Sequence, residues 1–412
     1  MSTPVHSTAT STPVKHSKEF VALMAMLMSM VALTIDSMLP ALAQIAQDLN
    51  ADHANDAQFI IGAVFLGMAL GQMIYGPISD SFGRKPAIYL GVSIFIVGDI
   101  ISLMASDFHT MLIGRVLQGM GASACRVVSL AMIRDCFSGR HMARVMSLIM
   151  LVFIMVPAIA PSIGQLILIF AEWHGIFWVL LGFSLTAVVW LALRQPETLD
   201  IEKRVPFSLA NIWIGIKETI NHNSSRNYTI AGGIMFGALV GYLTSSQQLL
   251  QIRYGLGDLF SVYFGLLALT IGLASFANSR LVMKINMEKL CIYALCLISV
   301  ASLAFFLMSL LFKGLPPFPI LFAYLMIAFS GFGILFGNFN ALAVHALGHI
   351  AGVANSVIST IQTLISVLVG SIIGQLFDDT VFPLVIGFFF CSTLALVIVL
   401  RVRHKYGYSD MN

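Results

Sequence analysis

The sequence predicts an all-α membrane protein, and two observations support this prediction. The chain has 412 residues, of which 58% are hydrophobic and only 10% are charged, whereas soluble domains carry about 25% charged residues. It also contains twelve apolar runs that are long enough to cross a bilayer as helices, which takes roughly 17–25 residues. Helices are the expected spanning form because lipid cannot satisfy an open backbone.

The twelve runs fall into two groups of six. The longest hydrophilic stretch, 195–227, predicts a central loop between an N-terminal bundle (19–194) and a C-terminal bundle (228–401). Residues 1–18 are rich in Ser and Thr, so we expect a disordered tail there, and 402–412 form a second tail. The predicted spans are 19–46, 57–79, 86–105, 108–134, 141–171, 173–194, 228–251, 258–283, 288–312, 318–346, 350–377 and 381–401.

The Lys and Arg residues indicate how these spans are oriented. Eighteen of the 22 lie in alternate loops and tails, whereas the intervening loops hold only Arg253 and Lys313. The positive-inside rule then places both termini and the central loop in the cytoplasm. The loops predicted to face outward are acidic, with Asp48, Asp52, Asp56, Asp107, Asp378 and Asp379.

Two six-helix halves joined by a long cytoplasmic loop are typical of secondary transporters, whose binding sites lie near the membrane midplane. Channels and membrane enzymes also have many spans, so the count alone leaves those classes open. The sequence contains no nucleotide-binding loop, metalloprotease motif or nucleophile–base constellation, which argues against an enzyme. The net charge of +3 is too small to indicate a nucleic-acid partner. We expect no cofactor and no metal site, because the five cysteines include no C-x-x-C pair.

The loop after span two, GPISDSFGRKP from Gly76, carries a specific motif. Gly83 permits a tight turn, Asp80 can bond a helix N-terminus, and Arg84 and Lys85 favour the cytoplasmic side. An ordinary basic loop is the alternative, but it does not require this full spacing. The pattern G-x-x-x-D-x-x-G-R-K resembles the signature loop of the major facilitator superfamily. The resemblance implies the major facilitator fold, with twelve transmembrane helices in two six-helix bundles around a central cavity, and a gate in which Asp80 and Arg84 latch the cytoplasmic side.

Two further motifs resemble the drug:proton antiporters of that superfamily. Span four begins LIGRVLQGMGA, in which Arg115 and Gln118 match the R-x-x-Q-G pattern. Span five contains VPAIAPSIGQ, in which Pro157, Pro161 and Gly164 match the Gly- and Pro-rich antiporter motif. That second match is incomplete, since Ala and Gln stand at two positions where the motif has Gly. A Pro-kinked helix of no special function is the alternative for span five.

The motifs together are most similar to the Bcr/CflA branch, the bicyclomycin and chloramphenicol resistance transporters of bacteria. The specific motifs lie almost entirely in residues 30–170. The resemblance implies a proton-coupled multidrug efflux antiporter that works by alternating access. Its partners would be small amphipathic substrates, protons and the lipid bilayer of the bacterial inner membrane, and we expect a monomer.

Asp36 lies in the middle of the apolar stretch MSMVALTIDSMLPALAQIA. A charge at the bilayer centre costs on the order of 2.5–3.5 kcal/mol on insertion scales, so it should face the bundle interior or a wet cavity. At about 1.5 Å of rise per residue, Asp36, Arg115 and Asp99 lie roughly 15, 10 and 9 Å below the outer ends of their spans. We therefore expect all three in the outer half of the first bundle.

These three residues are the predicted proton-coupling group, with Asp36 as the proton carrier. Burial and a nearby Arg shift a carboxyl pKa in opposite directions, so an acid that alternates between those surroundings binds and releases a proton. The resemblance agrees, since these antiporters carry an acidic residue at the matching place in span one. The alternative is a buried Asp–Arg pair that only ties helices together. For Asp99 a structural role is an equal alternative.

The predicted substrate cavity combines residues from both halves. Arg115, Gln118 and Arg126 share one helical stripe of span four, which we expect to face the cavity. Arg126 is close enough to the cytoplasm to snorkel instead. Further candidates are a flexible Met and three amides, which are also the usual residues that hydrogen-bond membrane helices to one another. These candidates are Met30, Gln247, Asn338 and Asn340.

Two competing functions remain open at the level of sequence. The same fold could carry one endogenous metabolite, in either direction. A channel or a membrane enzyme would also fit the number of spans, although no enzyme motif supports the latter.

Overall fold

The computed structural model describes residues 17–345 and 347–406, so most of the predicted N-terminal tail and the last six residues of the predicted C-terminal tail lie outside it. All regular secondary structure in the described residues is helical, and no strand occurs among them. The helices are α1 (Ser17–Asp36), α2 (Leu42–Asp48), α3 (Phe59–Phe82), α4 (Arg84–Leu103), α5 (Phe108–Cys136), α6 (Gly139–Phe170), α7 (His174–Arg194), α8 (Leu209–Asn221), α9 (Asn223–Ser246), α10 (Phe260–Leu281), α11 (Met287–Leu310), α12 (Phe318–His345), α13 (Ala351–Gln375) and α14 (Phe382–Tyr406).

Eleven segments within the described ranges are long and apolar enough to cross a membrane. Each one coincides with a predicted span to within a few residues. The remaining predicted span is α6, a continuous helix of 32 residues, of which Met155–Phe170 is found as a shorter apolar helix. The first span continues from α1 through Pro40 into α2, because a Pro at the start of a helical turn needs no hydrogen-bonding N–H.

The central segment differs from its prediction as a loop. It contains α8, a 13-residue helix, and α9 begins at Asn223 rather than at 228. Helix α8 is too short to span a bilayer, and it packs against α9 and α13. A Cβ on Gly215 would lie 2.4 Å from Cγ1 of Val353, so the α8–α13 contact is close.

Helices pack mainly within each half of the chain. Helix α5 lies between α3 and α4, and α1 packs on α5, α6 and α7; in the second half α9 packs on α12, α13 and α14. Small residues permit the closest approaches, as is usual between membrane helices. A Cβ on Gly119 would lie 2.0 Å from the carbonyl oxygen of Val64, which explains why the R-x-x-Q-G motif has Gly at this position.

The two halves meet along α3–α13 and α6–α10. We call the end of the helices that carries Arg84, Arg134 and α8 the basic end, and the end that carries Asp48 and Asp379 the acidic end. At the acidic end the halves are joined by side-chain hydrogen bonds.

These bonds link the segment before α3 to the ends of α9 and α13. Nε2 of Gln58 donates to Oε1 of Gln248 at 2.6 Å. Nδ2 of Asn55 donates to the carbonyl of Gln375 at 3.1 Å, and Nε2 of Gln375 donates back to the carbonyl of Asn55 at 2.9 Å. Gln248 lies in a π-helical turn, Gln247–Arg253, that continues α9. The acidic end is therefore tied shut across the two halves.

Candidate functional site

A cavity of about 280 Å³ lies between α3, α5 and α13 at the basic end. Its first wall carries Gln72 and Gly76 of α3, and its second carries Arg126 and Arg134 of α5. The first turns of α13 form the third wall, with uncharged polar side chains. Those side chains are Asn355, Ser356 and Ser359.

The signature loop closes the rim of this cavity, and Arg84 is its central residue. The Arg84 guanidinium forms an ion pair with Asp80, four residues before it. Its Nε donates to Oδ2 of Asp135 on α5 at 2.8 Å, and its Nη1 donates to Oγ of Ser79 at 2.9 Å. Charge-assisted bonds of this kind are stronger than neutral ones. The loop is therefore held to α5 as well as to α3.

Gly83 immediately precedes α4 and has a φ of +110°, a backbone conformation that favours Gly. Directly after it, the N–H groups of Arg84 and Lys85 donate to the two carboxylate oxygens of Glu197, at 2.9 and 3.0 Å. A carboxylate at this place satisfies the unpaired N–H groups of a helix start and suits the positive end of the helix. A Cβ on Gly83 would lie 2.8 Å from that carboxylate, so Gly83 also provides room for it.

Glu197 was not predicted from the sequence. It lies in the segment after α7, 112 residues from Lys85, and no local pattern connects the two. Burial alone would raise the pKa of the Glu197 carboxyl, but N–H groups of the backbone outweigh this effect and hold the pKa below its ordinary value. The donors are Leu199, Arg84, Lys85 and Thr198.

Lys85 binds the same segment at its other end. Its Nζ donates to the carbonyl of Gln195 at 2.6 Å, just after the end of α7. A cation there satisfies a terminal carbonyl and suits the negative end of the helix. Lys85 and Glu197 together therefore fasten the segment after α7 to the signature loop.

Arg115, Gln118 and Asp99 form a buried chain of polar groups between α5 and α4. All three side chains are fully buried. Nη1 of Arg115 donates to Oε1 of Gln118 at 2.7 Å, and Nε2 of Gln118 donates to Asp99. Nη2 of Arg115 donates to the carbonyl of Thr34 on α1 at 2.6 Å. The Arg115 and Asp99 charges are thus connected through an amide rather than by direct contact.

Asp36 ends α1 and is 5% exposed. Among the described residues, its carboxylate forms no ion pair and no hydrogen bond, and Arg115 bonds Thr34 two residues earlier instead. Tyr242, from α9 in the other half, interacts electrostatically with Asp36. The Tyr242 hydroxyl is buried and has no hydrogen-bond partner within the described part of the chain. The direct Asp36–Arg115 pair, considered from the sequence as an alternative, is therefore absent from this form.

The antiporter motif of α6 lies beside Asp36. Pro157 and Pro161 are inside this helix. A Cβ on Gly164 would lie 2.0 Å from the carbonyl oxygen of Ser37, the residue that follows Asp36. The motif therefore brings α6 against the end of α1 at the candidate proton carrier.

Only part of the predicted substrate group lies at the cavity. Arg126 lines it, and Asn340 donates to Asn355 of the cavity wall at 3.3 Å. The other four bond or contact neighbouring helices. Gln118 bonds Arg115 and Asp99. Asn338 exchanges hydrogen bonds of 3.0 and 3.1 Å with Asn278. Gln247 donates to the carbonyl of Pro40 at 3.3 Å, and Sδ of Met30 lies 3.5 Å from Sγ of Cys125.

The three amides lie away from the cavity because buried amides in membranes find hydrogen-bond partners on adjacent helices. A single stripe of α5 also meets different neighbours along its length, because α4 covers Gln118 near one end and the cavity adjoins Arg126 nearer the other. Gln118 and Arg126 therefore lie on the same face of α5, but only Arg126 lines the cavity.

Comparison with known proteins agrees with this architecture. A model of the Major Facilitator Superfamily matches residues 21–371. A bicyclomycin resistance protein homolog of Haemophilus influenzae is 31% identical over 384 residues, which cover 92% of this chain and 93% of that protein. An uncharacterized MFS-type transporter of Bacillus subtilis, YdgK, is 31% identical over 85% of this chain and 87% of its own. The multidrug resistance protein MdtL of Escherichia coli is 35% identical over 43% of this chain and 47% of its own.

Two solved transporter structures share the fold at low sequence identity. The xylose transporter XylE of E. coli, in a partially occluded inward-open conformation, gives a TM-score of 0.70 at 12% identity, covering 94% of this chain and 98% of its own. The human transporter MFSD10 gives 0.69 at 16% identity, covering 93% and 99%.

Proposed function

Because the chain belongs to the Major Facilitator Superfamily, a family of membrane transporters, we propose that it is a proton-coupled efflux antiporter for small amphipathic molecules. The observation that carries this proposal is the buried Asp36 carboxylate, without an ion-pair partner in the described residues, where α6 packs against the end of α1. Intramembrane carboxylates of this kind mark proton relays. The resistance proteins among the relatives support a drug-like substrate.

The orientation follows from charge. The basic end faces the cytoplasm, by the positive-inside rule, and both termini lie on that side of the bacterial inner membrane. The form described here is then closed toward the outside, where the Asn and Gln bonds join the halves, and holds its cavity toward the cytoplasm.

The two six-helix bundles, 19–194 and 228–401, rock against each other. This movement opens the site alternately to the two sides of the membrane. In the outward-open form, water reaches Asp36 and the carboxyl group takes up a proton, and this uptake accompanies release of the substrate. In the inward form the proton leaves to the cytoplasm and the cavity is ready for the next molecule. The Arg115–Gln118–Asp99 chain fixes the outer half of the first bundle against the backbone of α1, so movement near Asp36 is transmitted to α4 and α5.

Substitution of Asp36 tests the proposal. In proteoliposomes with an imposed pH gradient, Asp36→Asn should fold and bind substrate but lose gradient-driven efflux of bicyclomycin. The reason is that an amide side chain does not take up a proton in the physiological pH range. The matched control is Asp52→Asn, which changes an exposed carboxylate at the same end and should transport normally. Full gradient-driven efflux by Asp36→Asn would remove Asp36 from the mechanism.

A further inference from the structure

We propose that the cavity at the basic end selects anionic substrates, namely amphipathic molecules that carry a carboxylate, with Arg126 as their counter-ion. This inference rests on the proposed transport function and assigns a substrate class to it.

Among the described residues, three guanidinium groups and two carboxylates line the cavity. Both carboxylates, Asp80 and Asp135, bond to Arg84. Those three groups therefore form a compact cluster on the rim that is already hydrogen-bonded. With Arg126 and Arg134 included, the described lining residues carry a net positive charge, which disfavours a cationic substrate.

Arg126 is the deeper of these two residues. It lies ten residues before the end of α5 at Cys136, which places it about 15 Å from the basic end of that helix. Arg134 is in the last turn, and its Nε donates to the carbonyl of Leu130 at 3.2 Å. A charge as deep as Arg126 is costly in a membrane and marks a substrate pathway when it adjoins a polar cavity.

The remaining walls suit an amphipathic anion. Val127, Leu130 and Ala131 supply an apolar surface next to Arg126, and α13 supplies Asn and Ser side chains opposite. A volume of about 280 Å³ is at the lower end of small-ligand pockets. The site therefore fits one ring system with a single carboxylate better than a large or highly charged molecule.

Export of an anion is also favoured by the membrane potential. The cytoplasm is electrically negative, so an anion that leaves it moves in the favourable direction, as does a proton that enters. A potential of 100 mV changes the equilibrium ratio of a singly charged species by about 50-fold. When one proton enters in exchange for one monoanion that leaves, the membrane potential drives both movements.

Equilibrium binding to the purified full-length protein tests the inference without requiring transport. Three probes of nearly equal shape differ in charge: 2-naphthoate, 2-naphthamide and 2-naphthylmethylammonium. Calorimetry should find that naphthoate binds at least about 10-fold more tightly than the amide, with the ammonium compound weakest. Arg126→Gln should abolish the preference for naphthoate and leave the affinity for the amide unchanged.

Two variants keep the test decisive. Arg126→Lys retains the charge and should retain most of the preference, which separates a charge effect from misfolding. Arg280→Gln removes an exposed guanidinium that stacks on Phe276 outside the cavity, and it should bind all three probes like the wild type.

Three results would overturn the inference: no binding of naphthoate up to millimolar concentration, equal or tighter binding of the ammonium compound, or an undiminished preference in Arg126→Gln. Naphthoate selectivity without proton exchange in proteoliposomes would contradict the proposed antiport alone. Proton exchange driven by a cationic substrate would contradict this inference alone.

Discussion

Glu197 lies in the segment after α7, yet its carboxylate completes the first turn of α4. It accepts from the N–H groups of Arg84 and Lys85, and also from Thr198 and Leu199 in its own segment. Four donors favour the ionised form, which is why the pKa of Glu197 falls below its ordinary value despite burial. A group of this kind stabilises the fold only while it is charged.

Glu197→Gln should therefore lower stability in a pH-dependent way. The folded-state pKa lies below the unfolded value, so the contribution of Glu197 is complete above the unfolded pKa and is lost as the pH falls through the folded pKa. At pH 7 we expect a loss of about 1 kcal/mol, as for other helix caps. Thermal melting in detergent should show a difference in melting temperature between wild type and variant that is constant near neutral pH and shrinks only as the pH falls below 4.5, the ordinary pKa of a Glu carboxyl.

Glu202→Gln is the control, because Glu202 is exposed in the same segment. It should melt like the wild type at every pH. If the difference in melting temperature between wild type and Glu197→Gln stayed constant with pH, the role of the Glu197 charge would be contradicted.

Helix α6 approaches the end of α1 more closely than any side chain would permit. Gly164 faces the carbonyl of Ser37, and Asp36 is the preceding residue. The antiporter motif thus has a steric function as well as the kinks from its two Pro residues. The separation of α6 from α1 determines how tightly Asp36 is enclosed.

Gly164→Ala should separate these helices. Its Cβ would lie 2.0 Å from a backbone oxygen. We therefore expect the free energy of unfolding to fall by about 1–3 kcal/mol, the typical cost of overpacking. We expect a lower melting temperature and reduced proton-driven transport. Gly182→Ala is the matched control, since a Cβ there meets nothing within 4 Å, and it should melt at or above the wild-type temperature. Equal melting of both variants would contradict close packing at Gly164.

The sequence was informative about elements whose formation depends on the bilayer alone. Span positions were predicted well because length and apolar composition decide whether a segment crosses a membrane. Helix α8 was missed because it is too short for that criterion and is stabilised by α9 and α13. The buried position of Asp36, Arg115 and Asp99 could be predicted from the cost of an intramembrane charge. The link through Gln118 and the cap by Glu197 could not, because both depend on tertiary contacts.

At the scale of the whole molecule, two ends of the same interface differ in chemistry. The acidic end is joined by neutral amide bonds such as Gln58–Gln248, and the basic end holds ion pairs and a cavity. Neutral hydrogen bonds contribute about 1 kcal/mol each. These neutral bonds at the acidic end are therefore weak enough to be broken in each turn of the proposed transport cycle.

Removing these amides should shift the protein toward the outward-open form. In a Cys296→Ala background, Ser37→Cys places a reporter thiol beside Asp36. Adding Gln58→Ala with Gln248→Ala should increase its labelling by a membrane-impermeant reagent at least about fivefold to tenfold, since the bonds from Gln248 to Gln58, Ala54 and Asn55 are lost and each contributes about 1 kcal/mol.

The control pair is Gln44→Ala with Gln47→Ala, two exposed amides of α2 at the same end. It should not change the labelling rate. Unchanged labelling in the Gln58 and Gln248 variant would mean that other contacts keep the outer side closed.

The central segment forms a short connection between the two bundles. The N–H of Val205 donates to the carbonyl of Asp80 at 3.1 Å, so the chain up to that residue travels with the first bundle. Helix α8, from Leu209, packs on the second bundle. Only residues 206–208 connect the two attachment points, and four fully extended residue steps span at most about 14 Å. While these two attachments hold, the connection limits how far the basic ends of the two bundles can separate, whatever substrate is bound.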